Sequence, residues 1–170
     1  VLGPGQGASE AYFDTGAPIR LGTLQIASGG LYGADPIAVD GTLTFNSGTI
    51  AAGGTLTAHG PVTINAIGGT RNLRRDFASA DRLTFVNGAL APSNCDITNL
   101  SRGTIDIQTD GAAFALSTTV TVHNHGLLLK SAGSGVSSIN THFRNTGTVE
   151  VRTGTLELYG SYSLTHVQTA

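Results

Sequence analysis

The chain has no methionine and no tryptophan, a single cysteine, and charged residues at only 12% of its 170 positions. Each shortage excludes something. One cysteine, Cys95, rules out an internal disulfide framework and leaves the redox compartment undecided. Its ordinary reading is a small residue packed near the core, with an intermolecular thiol as the alternative. A chain that starts at Val1 and contains no methionine is expected to be a mature piece, a processed piece or an excised fragment. No apolar run approaches the roughly 18 residues that cross a bilayer, and no charged, apolar and small-residue series at the start reads as a signal peptide. Membrane insertion is therefore not expected. The formal net charge is -2 and the arginines are scattered, so the basic footprint of a nucleic-acid binder is missing and no nucleic-acid partner is expected. Helix-forming Glu and Lys are sparse and no long helical period can be drawn, which excludes most helical classes.

What the chain does have is glycine, 24 residues of it, with Thr, Val, Ile and Leu in alternation. Gly-Thr-aliphatic-polar-aliphatic occurs at Gly147 to Val151 and again at Gly154 to Leu158, each a turn feeding a short half-buried strand. The same opening recurs at Gly22, Gly41, Gly60, Gly103 and Gly126, with Asp81 to Phe85 filling the remaining slot. The offsets are 41−22=19, 60−41=19, 81−60=21, 103−81=22, 126−103=23 and 147−126=21. A period of 19 to 23 residues along the chain predicts a solenoid of about seven coils. The expected organisation is one all-β solenoid domain over 1–170, less regular over 1–21 and repeating over 22–170.

Each late repeat breaks into three short apolar-polar pieces, which predicts three strands per coil. Alternation then sets the inward side chains. Leu24, Leu43, Val62, Leu83, Ile105, Leu128 and Val149 should form one inward row, and Ile26, Phe45, Ile64 and Phe85 a second. Thr104, Leu127 and Thr148 should face out, as should Asp106, Leu129 and Glu150. Lys130 interrupts the second row where Ile107 and Val151 stand in neighbouring coils. An unpaired buried ammonium is costly, so the strand is expected to end at Leu128 or Leu129 with the lysine turned out at a corner. Asn124 and Asn145, each two residues before a repeat glycine, are read as an architectural ladder in a turn, with Asn87, Asn94 and Asn99 as looser members.

The stretches "LTFNSGTIAAGGTLTAHGPVTI", "GTIDIQTDG" and "GLLLKSAGSGVSSINTHFRNTGTVEVRTGTLELYGSYS" resemble the Gly/Thr/Asn-rich β-solenoid repeats of large secreted bacterial surface proteins, adhesin-like or autotransporter-passenger-like. The similarity is clearest from Leu43 to Ser163. It implies a right-handed parallel β-helix exported to the cell surface or beyond. Fold does not fix function. The His pair and Cys95 depart from the family's usual small polar residues.

Catalysis on such a fold needs carboxylates with a basic partner on one outward face. The acidic candidates are Asp76, Asp81, Asp96, Asp106 and Asp110, with Arg74, Arg75, Arg82 and Arg102 near them in sequence. The only charge-dense run, "RNLRRDFASADR" from Arg71 to Arg82, is expected to be an irregular, solvated loop or strand edge. No catalytic motif, phosphate-cradling loop or Ser/His/Asp order is evident, so no enzyme activity, catalytic residue or cofactor is expected. His123 and His125 point to one side of an extended strand and could chelate a transition metal, with His142 as a possible third ligand. The pair is read as exposed corner histidines, and no metal is expected. Calcium is not required, because the aspartate-glycine nonapeptide is missing. Thr42, Thr44, Thr55, Thr57, Thr63, Thr119 and Thr121 would give outward hydroxyl rows of the kind used to bind ice, but Asp, Arg and Glu interrupt them. The expectation is an extracellular or cell-surface structural module, a stalk, fibre or adhesive spacer. Its terminal coils would dock on copies of itself or on adjacent modules, with surface glycans as a further partner. The alternative is a carbohydrate-binding or carbohydrate-cleaving β-helix.

Overall fold

A computed structural model describes residues 9–65, 71–159, 162–163 and 167–169. Every regular element in it is a β-strand, and every strand pair is parallel. The chain winds as a β-solenoid of about seven turns, each built from three faces. The first face is an eight-stranded sheet running from Leu24–Ile26 through Leu43–Phe45, Val62–Asn65, Arg82–Asn87, Thr104–Ile107, Leu127–Lys130 and Thr148–Val151 to Val167–Thr169. Twelve further strands make the second and third faces. In the middle coils single strands such as Gly48–Ala58, Arg71–Ser79 and Val136–Asn145 run round the corner between those two faces. Glu10–Tyr12 and Ile19–Leu21 already pair with the coil above them.

The repeated glycine is explained by how closely the backbones approach where each coil enters the first face. A Cβ on Gly41 would lie 2.4 Å from the Gly22 carbonyl oxygen, and one on Gly60 2.3 Å from that of Gly41. Gly126 and Gly147 stack in the same way on Gly103 and Gly126, at 2.1 and 2.0 Å. None of these four has a positive φ, so the requirement is space rather than a left-handed backbone. The residue that follows, Thr42, Pro61, Leu127 or Thr148, sits outside, and the next aliphatic turns in.

Both inward rows are present. Leu24, Leu43, Val62, Leu83, Ile105, Leu128 and Val149 pair coil on coil and are all buried. Ile26, Phe45, Ile64, Phe85 and Ile107 make the second row, which Phe85 ties to the second face by an edge-on contact with Phe114, ring centroids 5.0 Å apart. At about 1.5 to 3 kcal/mol for each fully buried large side chain, these rows supply the main force holding coil to coil.

Lys130 does not turn out. It pairs with Ile107 below and Val151 above, in register, and its side chain is 0% exposed. Its ammonium uses all three protons: to Asp110 Oδ1 at 3.0 Å, Ser137 Oγ at 2.8 Å and the Ala132 carbonyl at 3.1 Å. The charge is buried but paired, by Asp110 from the coil below and by Ser137 and Ala132 of its own coil. Asp106 and Leu129, expected on the outside, do stand in the outward register but are buried. Asp106 is covered by Arg82 Nη1 at 2.7 Å, Gln108 Nε2 at 2.8 Å and Ser131 Oγ at 2.5 Å.

The run from Arg71 to Arg82 is not an irregular, solvated loop. Arg71–Ser79 is a nine-residue strand in which Arg71, Leu73, Arg75, Phe77 and Ser79 alternate inward. Arg71 donates from Nε to the Ala89 carbonyl at 2.7 Å. Arg75 occupies a corner column in which register places Gly54 beneath it and Asp35 beneath Gly54. The guanidinium passes the coil beneath it and donates from Nη2 to the Gly33 carbonyl two coils below. Burial pulls the Arg75 pKa down, and the carboxylates of Asp14 and Asp35 oppose that pull.

The asparagine ladder is built where the third face turns into the first. Asn99 Nδ2 donates to Asn124 Oδ1, and Asn124 Nδ2 to Asn145 Oδ1, each at 2.6 Å. The same amide groups reach the carbonyls of Gly103, Gly126 and Gly147 in their own turns. All three are buried, and none has a positive φ; they fit this corner because of side-chain hydrogen bonding rather than left-handed backbone. Asn87 and Asn94 do not belong to it. Asn87 donates to Asn65 Oδ1 at 3.2 Å at the end of the first face, and Asn94, with φ 52, turns the corner between the second and third faces. Below Asn99 the ladder position is held by Ser79, which bonds its own turn through the Asp81 carbonyl at 3.1 Å, and Asn99 Oδ1 is left buried without a hydrogen-bond donor.

Two outcomes follow for stability, read from denaturant midpoints. Leu128→Ala is expected to cost about 2 to 5 kcal/mol, while Thr148→Ala, one residue outside the row, costs well under about 1 kcal/mol. Equal losses would refute the register. Ser79→Asn should extend the ladder by one rung and satisfy the Asn99 oxygen, raising stability by about 1 kcal/mol; a loss of that size would mean that the corner cannot hold a longer side chain.

Candidate functional site

Stacking gathers the sequence's scattered polar residues in three places, and the most open is the outside of the third face. There a groove of about 370 Å³ is lined by Thr55, Asp76, Ala78, Asp96, Thr98, His123 and His125, over the buried edge of Phe77. The alternation that sends Phe77, Ile97 and Val122 inward sends their neighbours out. Thr98, His123 and Arg144 form one outward column, and Asp76 and Asp96 lie on successive coils in the column beside it. His142 pairs with Thr121 one coil above the His123 strand.

The two aspartates come together as sequence reasoning allowed, but each has a structural task. Asp76 Oδ1 accepts the Asp96 backbone N–H at 2.8 Å, and Asp96 Oδ1 accepts the Thr121 N–H at 3.2 Å. Each carboxylate thus receives an amide of the coil above. Asp14 and Asp110 do the same for the N–H groups of Ala34 and Gly135. No sequence motif marks this role. Its signal is an aspartate about one period before the amide it serves. Asp96 Oδ2 remains, 3.5 Å from His123 Nε2. The rings of His123 and His125 lie 19° from parallel with centroids 6.4 Å apart, and His125 Nδ1 is 2.7 Å from Thr146 Oγ1. Among the described residues, no three His, Cys, Asp or Glu side chains converge closely enough to hold a metal ion.

The second cluster is Lys130, Ser137 and Asp110, a lysine beside a serine hydroxyl. The hydroxyl donates to the Thr109 carbonyl at 2.7 Å rather than to the amine, and both Lys130 and Ser137 are fully buried, so neither can meet a substrate. The third is the buried pair Arg71 and Arg75. Asp81 bonds the backbone N–H of its neighbour Arg82, while Arg82 crosses to Asp106. Arg74 projects outward from the second face and Arg102 is exposed in the corner before Gly103. The charged residues of Arg71 to Arg82 are thus dispersed over several sides of the solenoid.

A general acid needs a carboxyl whose pKa is raised. The two carboxyls here with resolved shifts move the other way. Asp35 is held low by the Thr15 N–H, assisted by the Thr15 hydroxyl and the Gly16 N–H, and Asp110 by the Lys130 ammonium. Cys95 is buried with Sγ 3.4 Å from the Leu73 carbonyl, and burial pushes its thiol up to about 11, which keeps it from acting as a nucleophile at neutral pH. Tyr12 and Tyr32 stack on each other, centroids 5.2 Å apart, so their faces meet along the column instead of lying side by side as a sugar platform. In the first face Thr44, Thr63 and Thr84 align in register, beyond which Asp106 takes the column.

The Lys130–Asp110 contact has a pH signature. A depressed carboxyl contributes stability above its unfolded pKa, about 3.9, and loses it as pH falls through the lower folded value. Between about pH 4 and pH 2 the wild type should therefore lose more of its urea midpoint than Asp110→Asn does. Parallel midpoint curves for the two proteins would rule the contact out as a contributor.

Compared with known proteins, the chain matches no family model, no curated protein and no solved structure.

Proposed function

We propose that this chain is a structural, noncatalytic β-solenoid module of an extracellular or cell-surface protein, serving as a stalk, fibre or adhesive spacer. One observation carries the reading: its buried polar side chains bond coil to coil instead of converging on a cleft. The buried ladder of Asn99, Asn124 and Asn145 and the buried ammonium of Lys130 are used in this way, while the exposed Asp76 and Asp96, which line the groove, cap amides one coil up. Such contacts stiffen a rod along its axis, which is the demand placed on a spacer and not on an active site. About seven coils at about 4.8 Å each give a module roughly 35 Å long.

The second part of the proposal is that terminal coils dock end to end, with copies of the chain or with adjacent modules. Solenoid coils offer backbone N–H and C=O groups to whatever lies above and below them, and a parallel strand of the same repeat is the natural complement. A carbohydrate-binding or carbohydrate-cleaving role is the competing reading, and the groove holding Asp76, Asp96 and His123 is what favours it.

Two measurements on the 170-residue chain separate these readings. A glycan array with a reducing-end assay on common polysaccharides should show neither saturable binding nor turnover; either result would replace the structural reading with the carbohydrate one. Sedimentation at rising concentration should show end-to-end association. A stable monomer with protected amides in both terminal coils by hydrogen exchange would defeat the docking proposal.

A further inference from the structure

The outer third face carries all four of the described histidines: His59, His123, His125 and His142. Two of them are arranged differently from the others. His123 and His125 stand two residues apart on the same side of the chain, their rings within 19° of parallel. Thr146, from the coil above, lies 2.7 Å from His125 Nδ1. When Nδ1 carries the proton and donates it to that hydroxyl, Nε2 presents its lone pair outward; this is how an outer hydrogen bond fixes a ligating imidazole. Below His123 is the Asp96 carboxylate, whose Oδ2 is 3.5 Å from His123 Nε2. That is long for a hydrogen bond, and it is near the edge of about 3.4 Å expected for a tetrahedron whose bonds are about 2.1 Å.

We infer that His123 and His125, whose near-parallel rings have centroids 6.4 Å apart and rotate toward one point to share an ion, form a surface chelate for a divalent transition metal, with the Asp96 carboxylate beside it. The site is one of two imidazoles with water in the remaining positions, since three ligands do not already converge there. Imidazole nitrogen suits copper, nickel and zinc, and the order of divalent affinities puts Cu2+ first among them. The local charge is compatible with a cation. Asp76 and Asp96 lie on the coils below, against one positive charge from Arg144, the register partner of His123. His123 stands at the end of the strand Gly111–Asn124 and His125 in the turn after it, and the other contacts come from neighbouring coils, so the site depends on stacking. This inference does not rest on the structural reading of the module.

The test is calorimetric titration of the full chain with Cu2+ alone, and with Ni2+ alone. One equivalent should bind. His123→Ala and His125→Ala should each weaken it at least tenfold, and Thr146→Ala should weaken it by about tenfold through loss of the orienting contact. His59→Ala and His142→Ala should leave it unchanged. All of these positions are on the surface, and thermal denaturation without metal checks that each variant is folded. Added Cu2+ should also raise the melting temperature of the wild type more than that of the His123→Ala, His125→Ala double variant. If the double variant binds Cu2+ as tightly as the wild type, or if His59→Ala or His142→Ala abolishes the binding, the chelate is not at His123 and His125.

Discussion

Parallel coils must land on one another at a single strand spacing, and every other feature of this chain follows from that constraint. At about 4.8 Å per coil, the nearest neighbour of each side chain is the residue in the same position of the coil above or below. Columns, not individual contacts, are the units of this fold. A glycine column is required where backbones come closest, an aliphatic column fills each side of the core, and an asparagine column bonds the turn. A residue that differs from its column has to be accommodated by the columns beside it.

Lys130 and Arg75 show two ways in which that happens. Lys130 replaces an aliphatic in the second inward row, and the corner beside it supplies Asp110, Ser137 and a carbonyl to saturate its ammonium. Arg75 reaches past the coil beneath it, and its guanidinium donates to the Gly33 carbonyl two coils below. Both are buried charges, whose desolvation cost offsets much of what the contacts contribute. Their consequence is register: a coil displaced by one residue would leave an ammonium or a guanidinium in the core without partners. The Asn ladder works in the same direction with neutral groups, and the aspartates do so on the surface.

These devices also bear on function. Asp76 and Asp96 each commit one carboxylate oxygen to a backbone amide, and the Ser137 hydroxyl donates to a carbonyl rather than to the lysine beside it. The residue types that would suggest chemistry in a linear reading are engaged in holding coils together. His123 and His125 are the exception in character: they line the groove of the third face, with His125 against Thr146 and His123 beside Asp96.

The sequence by itself determined the all-β class, the period and the identity of the inward aliphatic rows, because alternation and a fixed spacing are local properties that each repeat states again; the three strands it suggested for each coil are two in most middle coils, where one strand runs round the corner. The pairing of Asn124 with Asn145 was legible for the same reason. What only the tertiary structure decided was every position whose environment is made by a neighbouring coil. Lys130 looked too costly to bury because its counter-ion Asp110 lies a coil away along the chain, and Arg71 to Arg82 looked like a solvated loop because the Gly33 carbonyl that Arg75 reaches lies two coils away. Asp106 is outward by alternation, yet Arg82 from the coil below and Ser131 from the coil above bury it. The placement of Asp96 beside His123 has the same origin. Solvation and hydrogen bonding depend on what lies about 4.8 Å away, and in a solenoid that neighbour is roughly twenty residues distant in sequence.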